Sequence, residues 1–177
     1  MGYLEIIFGP MFSGKSSRLI QISRKYKTLN QKILIVKPII DNRYSERSEI
    51  VTHDKITEPC MLCNDLCVIV NIIDKYDVIL IEEAQFFPEL YTYVVEWCKT
   101  KHVYVAGLNG DAKKQLFGEI YKLIPHADEV IFMKALCKIC NDGTSAVFTQ
   151  KLISSNNNVI QVGGENIYSA VCRKHFT

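Results

Sequence analysis

Residues 9–16 read Gly-Pro-Met-Phe-Ser-Gly-Lys-Ser and follow directly on an apolar run, Leu4-Glu5-Ile6-Ile7-Phe8. The pattern is a complete G-x-x-x-x-G-K-[ST], in the context that gives it meaning, between a buried strand and a helix start. The strand feeds a glycine-permitted turn and the turn opens into a helix from Ser17. Backbone N–H groups then converge on one point where phosphate oxygens can sit, and the helix start adds partial positive charge there. Lys15 would reach the β- and γ-phosphates of a nucleoside triphosphate, and the Ser16 hydroxyl would hold Mg²⁺. Gly9, Pro10, Met11, Phe12, Ser13, Gly14, Lys15 and Ser16 are therefore the candidate ATP-binding residues. The alternative, a Gly-rich turn that binds nothing, leaves the Lys-Ser ending without a reason.

Along the rest of the chain short apolar runs alternate with amphipathic stretches, the pattern of βα units and a parallel sheet. Strands are predicted at 4–8, 32–37, 78–81, 102–106 and 129–132. Helices are predicted at 17–29, 64–75 and 89–99, the last because Leu90, Val94, Val95 and Cys98 fall at helical spacing. The alternation stops near Ala135. Beyond it come Cys137, Cys140, an Asn141-Asp142-Gly143 turn, two short strands and a Gly163-Gly164 pair. The expected fold class is α/β: a phosphate-loop nucleotide-binding core with a parallel sheet flanked by helices over residues 1–134, and a small C-terminal zinc-binding module over 135–177.

Val78-Ile79-Leu80-Ile81 runs into Glu82-Glu83-Ala84-Gln85-Phe86-Phe87. Four consecutive apolar residues describe a strand buried on both faces, and its acids emerge at the carboxyl end, where open α/β sheets bind ligands. One carboxylate can hold a metal through water while its neighbour accepts a proton from an attacking hydroxyl. The competing reading is a pair of acids starting a helix at its favourable end.

Cys137-x-x-Cys140 and Cys172-x-x-His175 are separated by 31 residues. Two close pairs of such ligands suit tetrahedral Zn²⁺, and four protein ligands close the site as a structural one. A rival group, Cys60, Cys63 and Cys67, lacks a fourth ligand nearby and has the spacing of one face of an amphipathic helix, so it reads as core packing. Cys98 also reads as core, and His53, His102 and His126 are isolated.

The 177 residues are 48% apolar, ample for a core, and carry 21 basic against 19 acidic side chains for a net charge of +2, mixed along the chain. No basic stripe marks a nucleic-acid partner, and no run approaches a membrane span or a leader. The expectation is a soluble, cytoplasmic protein with no nucleic-acid and no membrane partner, its seven cysteines reduced or on a metal.

The phosphate loop, the Glu-Glu-Ala-Gln-Phe-Phe-Pro segment, the Ala106-Gly107-Leu108 stretch, the paired Cys motifs and Gly163-Gly164-x-x-x-Tyr168-x-x-x-Cys172-Arg173 together resemble the zinc-containing thymidine kinases shared by bacteria, animals and poxviruses. The similarity runs in order over nearly the whole chain. It implies transfer of the ATP γ-phosphoryl group to the 5′-hydroxyl of thymidine, with deoxyuridine as a further acceptor, in deoxynucleoside salvage for DNA synthesis. It also implies a homotetramer and feedback inhibition by dTTP. Residue by residue, the resemblance makes Glu83 the catalytic base and Glu82 the outer-sphere Mg²⁺ carboxylate, and sets Arg43 beside the transferring phosphoryl. Met11, Phe86, Leu108, Ala112, Phe117, Thr149 and Tyr168 would line the thymine pocket. Backbone groups of Val159, Ile160, Gln161, Val162 and Gly163, in a lasso-like loop held by zinc, would read the base edge.

The chain departs from the family pattern at Glu82 and Asn109, where Asp is usual, at Ala112, usually Phe, and at Leu116, usually Pro. His175 stands where many relatives have Cys. The extra methylene of Glu82 suits a water-mediated metal contact, and Cys₃His is an ordinary structural zinc set. Without an aromatic ring at Ala112 the base pocket would differ in affinity or selectivity. Two other classes share parts of the pattern. A nucleic-acid-dependent ATPase with a zinc ribbon would share Glu-Glu-Ala-Gln, but 177 residues cannot supply two motor lobes. A nucleotide switch without chemistry would need the guanine-reading Asn-Lys-x-Asp, which the sequence lacks.

Overall fold

A computed structural model describes residues 1–40, 48–51, 56–152, 164 and 166–177. Arg43, His53 and residues 159–163 lie outside the described residues. In chain order the elements are β1 (Tyr3–Gly9), α1 (Lys15–Lys27), β2 (Ile33–Pro38), β3 (Glu49–Val51), β4 (Thr57–Pro59), β5 (Met61–Cys63), β6 (Val78–Ile81), α2 (Leu90–Trp97), β7 (His102–Leu108), β8 (Glu129–Phe132), β9 (Ala135–Leu136), β10 (Ser145–Ala146), β11 (Phe148–Lys151) and β12 (Tyr168–Val171). Short 3-10 turns lie between them at Leu66–Ile69, Ile73–Lys75, Ala84–Phe86 and Ile120–His126, with another at Arg173–His175.

Six strands form one parallel sheet in the order β5-β2-β6-β7-β1-β8. Its inner strands are apolar without a break because both faces are covered. The pleat splits them between two cores. Leu4, Ile6, Leu34, Val36, Ile79, Ile81, Val103 and Val105 face one side, with Leu90, Val94 and Trp97 of α2 and with Leu66, Ile69, Ile73, Ile120 and Leu123. Ile7, Ile35, Val78, Leu80, Tyr104 and Ala106 face the other, against Leu19 and Ile20 of α1 and Ile50. Most of these side chains have no exposed surface, and each contributes about 1.5–3 kcal/mol by leaving water. β8 is an edge strand, largely solvated.

The five predicted strands all occur, and a sixth, β5, was not foreseen: three residues are too few to show a period. α1 begins at Lys15 rather than Ser17, so Lys15 and Ser16 occupy the helix start itself, and Arg24, Lys25 and Lys27 at the other end complement the dipole. The helix expected over 64–75 is corrected to the two 3-10 turns Leu66–Ile69 and Ile73–Lys75. The Asp65 carboxylate caps the Cys67 amide at 2.7 Å, and Val68, Ile69, Val70, Ile72 and Ile73 lose side-chain freedom in an α-helix. Leu66, Ile69 and Ile73 reach the core from the tighter turns.

The reading of Cys60, Cys63 and Cys67 as one buried helix face is also corrected. Cys63 is buried on β5, Cys60 is half-buried, and Cys67 is exposed. Burial pushes the Cys63 thiol up to about 11, as expected of a packed apolar group. Cys98 is half-buried against the α2 core.

Past residue 134 the described residues form two antiparallel pairs, β9 with β10 and β11 with β12, more than the two short strands that the sequence predicts. The turn between β9 and β10 uses positive φ at Asn141 and Gly143. Asp142 Oδ1 accepts from both the amide and the hydroxyl of Thr144. These strands enclose a third, small core of Ala135, Cys137, Ala146, Ala170, Val171 and Cys172.

Candidate active site and metal centre

The carboxyl ends of β1, β6, β7 and β2 meet at one edge of the sheet, and the loop 9–16 leaves β1 there. Gly14 caps α1 in the left-handed region at φ 83°. Ser13 Oγ donates to the Pro10 carbonyl at 2.8 Å and closes the loop on itself. Lys15, although charged, is only 7% exposed, and its Nζ donates to the carbonyls of Pro10 at 2.8 Å and Gly9 at 3.3 Å. The ammonium is thus held across the mouth of the loop.

β6 delivers Glu82 and Glu83 to the same place. The Glu82 amide donates to the Val36 carbonyl at 2.9 Å, which extends the strand pairing by one residue. The Glu82 carboxylate accepts from Ser16 Oγ at 2.5 Å. Glu83 follows at φ 48° and ψ 45°, a conformation that costs a side-chain-bearing residue about 1–3 kcal/mol and that clusters at functional sites. The turn sends two successive carboxylates different ways. Glu82 meets Ser16 at the start of α1, and Glu83 accepts from Gln85 Nε2 at 2.5 Å. Glu82, Glu83 and Gln85 are all buried.

The C-terminal strands contact the loop directly. Thr149 Oγ1, buried on β11, accepts the amide of Met11 at 2.9 Å. Asn109 Nδ2, just past β7, donates to the Val147 carbonyl at 3.2 Å. The Phe86 and Phe117 rings meet edge to face with centroids 5.2 Å apart. The Leu108 amide donates to Gln85 Oε1 at 3.1 Å. Ala112 is half-buried in the loop after β7, and Tyr168 opens β12, half-buried, paired in register with Lys151. Two buried polar residues at this edge escaped the sequence reading: Gln85, and Lys37 near the end of β2. Lys37 had a readable signal, a lysine closing an apolar strand run whose neighbours are all buried.

Gly118 shows how closely the loop after β7 is pressed onto this turn. It has φ +64°, and a Cβ there would stand 2.3 Å from the Gln85 carbonyl oxygen and 2.7 Å from its Cα. Gly118→Ala should therefore destabilise the protein by at least about 2 kcal/mol, or roughly 2–4 °C of melting temperature per kcal/mol for a chain of this size. Gly143→Ala shares the positive φ but meets nothing within 4 Å, so it should melt higher than Gly118→Ala. Equal melting temperatures for the two would remove the clash.

Cys137, Cys140, Cys172 and His175 bring their ligand atoms within 4.8 Å of one another. Cys140 Sγ stands 3.8 Å from Cys172 Sγ, and His175 Nδ1 is 3.7, 3.3 and 3.4 Å from the sulfurs of Cys137, Cys140 and Cys172. A tetrahedron with Zn–S of about 2.3 Å and Zn–N of about 2.0–2.1 Å has edges near 3.8 and 3.5 Å, so the donor set fits zinc in both chemistry and spacing. Despite its burial, the Cys137 thiol is drawn below the ordinary thiol range by the amides of Cys140 and Cys172 and by His175. This is the only such group of potential metal ligands among the described residues.

The thymidine kinase family model matches residues 2–176. The chain belongs to that family. It is 38% identical over 180 residues to the thymidine kinase of Fowlpox virus (strain NVSL), covering 99% of this chain and 97% of that protein. It is 37% identical to thymidine kinase a of Arabidopsis thaliana, covering 99% and 75%. It is 38% identical to the thymidine kinase of Onion yellows phytoplasma (strain OY-M), covering 98% and 86%. Membership makes the enzyme a nucleoside kinase, and none of these findings favours the nucleic-acid-dependent ATPase. Among the described residues no helix is long and apolar enough to cross a membrane.

Proposed function

We propose that this thymidine kinase takes its phosphoryl group from ATP and passes it to the 5′-hydroxyl of thymidine, giving dTMP and ADP, with deoxyuridine as a further acceptor. The observation that carries the reading is the 2.5 Å contact between Ser16 and Glu82, because it joins the phosphate loop to the acid pair. Glu83 is the next residue in the chain after Glu82, which meets the loop. In the reaction Glu83 takes the proton of the 5′-hydroxyl as its oxygen bonds to the γ-phosphorus. The bond to the β–γ bridging oxygen breaks, and ADP leaves with that electron pair.

Residues 9–16 cradle the phosphates through their amides, and Lys15 turns from the loop carbonyls to the β- and γ-oxygens. The Ser16 hydroxyl and the Glu82 carboxylate are a hard-oxygen pair of the kind Mg²⁺ takes and would hold it, Glu82 through water. Magnesium bound there would neutralise charge on the triphosphate. Arg43 offsets charge on the equatorial oxygens. Met11, Phe86, Leu108, Ala112, Phe117, Thr149 and Tyr168 enclose the thymine, and the backbone of Val159, Ile160, Gln161, Val162 and Gly163 reads its edge. The Phe86–Phe117 contact and the Thr149–Met11 bond support this grouping.

The separate small core supports a division into a nucleotide-binding part, 1–134, and a zinc-binding module, 135–177. Cys137, Cys140, Cys172 and His175 would hold one structural zinc. We assign a homotetramer inhibited by dTTP, acting in the cytoplasm, on the resemblance of the whole chain to the family.

The test is a panel with ATP and Mg²⁺ against thymidine, deoxyuridine, deoxycytidine, deoxyadenosine and deoxyguanosine. Thymidine should give the highest kcat/KM, with a monophosphate and ADP in equal amounts. ATP hydrolysis that ignores the nucleoside would overturn the assignment.

A further inference from the structure

Gln85 has no part in the phosphate or base contacts described above, yet it is 4% exposed and spends both ends of its amide at the active edge of the sheet. Its Oε1 accepts from the Leu108 amide at 3.1 Å, and its Nε2 donates to Glu83 Oε2 at 2.5 Å. The first bond fixes the sense of the second. A backbone N–H can only donate, so the amide must present its oxygen to Leu108 and its NH₂ to the carboxylate. Gly107 keeps the side chain in place: a Cβ there would lie 2.6 Å from Gln85 Oε1, so only glycine lets the amide lie against β7. Gly118, in the loop after β7, lies against the Gln85 backbone.

Glu83 itself is held on a left-handed turn rather than inside a helix or strand, so its carboxylate direction is not set by regular backbone. The Gln85 amide supplies that constraint, anchored to the end of β7. We infer that Gln85 is a positioning residue for phosphoryl transfer: it fixes the Glu83 carboxylate in the direction from which it takes the 5′-hydroxyl proton. It also fixes the distance between that carboxylate and Leu108, which borders the base pocket. The inference rests on the base role proposed for Glu83. Misplacing a catalytic group by about 1 Å can cost on the order of a hundredfold in rate, so the effect belongs in kcat rather than in substrate affinity.

The experiment compares Gln85→Met, Gln85→Glu, Glu83→Gln and the Glu83→Gln/Gln85→Met double variant, by steady-state kinetics and by single-turnover transfer from ATP to thymidine. Gln85→Met keeps the length and loses both bonds. Gln85→Glu keeps the acceptor for Leu108 and gives Glu83 a second carboxylate in place of a donor. Both should lower kcat by roughly tenfold to a hundredfold, with KM for ATP and thymidine within about threefold. The double variant should be no slower than Glu83→Gln alone, because groups that act as one unit do not lose rate additively.

If Gln85 only tethers the loop after β7, Gln85→Glu will retain wild-type kcat, or the losses of the double variant will multiply, and the inference falls. If Glu83→Gln itself turns over normally, the base assignment fails instead. Thermal melting of each variant separates both outcomes from misfolding. A Gln85→Glu protein that melts with the wild type yet is slow supports the positioning role.

Discussion

Glu83→Gln should bind ATP as tightly as the parent enzyme and phosphorylate thymidine at least about a hundredfold more slowly, the scale of a lost general base. The substitution is nearly isosteric. A glutamine Oε1 at this position can still accept from Gln85 Nε2, so the left-handed turn and its packing should persist. The contact between Ser16 and Glu82 is untouched, and loop 9–16 keeps Lys15 and its amides. What disappears is the capacity to accept a proton. ATP affinity read by equilibrium titration should therefore stay within a fewfold while kcat collapses. A variant with turnover near the parent's would remove Glu83 from the chemistry and leave the acid pair a metal-holding role only.

Cys140→Ser should lose the metal, loosen residues past 134, and with them lose nucleoside binding. The local core explains why the effect is large. Its buried members are Ala135, Cys137, Ala146, Ala170, Val171 and Cys172, three alanines and one valine beside two of the candidate zinc ligands. Phe12, Phe148 and Phe176 pack against it only partly buried, so the fully buried apolar surface is small for two short strand pairs, and small folds of this kind depend on a staple. A structural zinc supplies on the order of 10 kcal/mol to local folding. The loss should then travel. β12 ends one residue before Cys172 and pairs with β11, which carries Thr149 to the Met11 amide. Elemental analysis of the parent protein should find one zinc per chain, and proteolysis of the variant should cut first beyond residue 134. Purified active enzyme without stoichiometric zinc would contradict this.

The two-faced apolar runs made the parallel sheet legible because each inner strand is buried on both sides, and burial writes itself into the sequence as an unbroken run. The meeting of loop 9–16 with the acids that follow β6 was legible for a related reason: strand ends are where the chain must expose polar groups, so their placement is tied to an element already recognised. Spacing alone announced the four candidate zinc ligands, and the structure gathers them. The order of strands was not written in any local pattern, since it depends on which pairs of runs pack together.

Residues 64–75 have the apolar density of a helix but a β-branched run that settles into 3-10 turns. β5 and the β3–β4 pair are three residues per strand, below the length at which alternation can be read. Gln85 was hidden for a different reason. A glutamine beside two acids looks solvated until Leu108 and Gly107, more than twenty residues later in sequence, close over it.

The account stands or falls on where a nucleoside places its primary alcohol. A crystal structure with thymidine and a non-hydrolysable ATP analogue should find the 5′-oxygen within hydrogen-bonding distance, about 2.6–3.2 Å, of the Glu83 carboxylate and in line with the γ-phosphorus held by residues 9–16. A 5′-oxygen turned away from Glu83, or a triphosphate bound anywhere other than that loop, would contradict it.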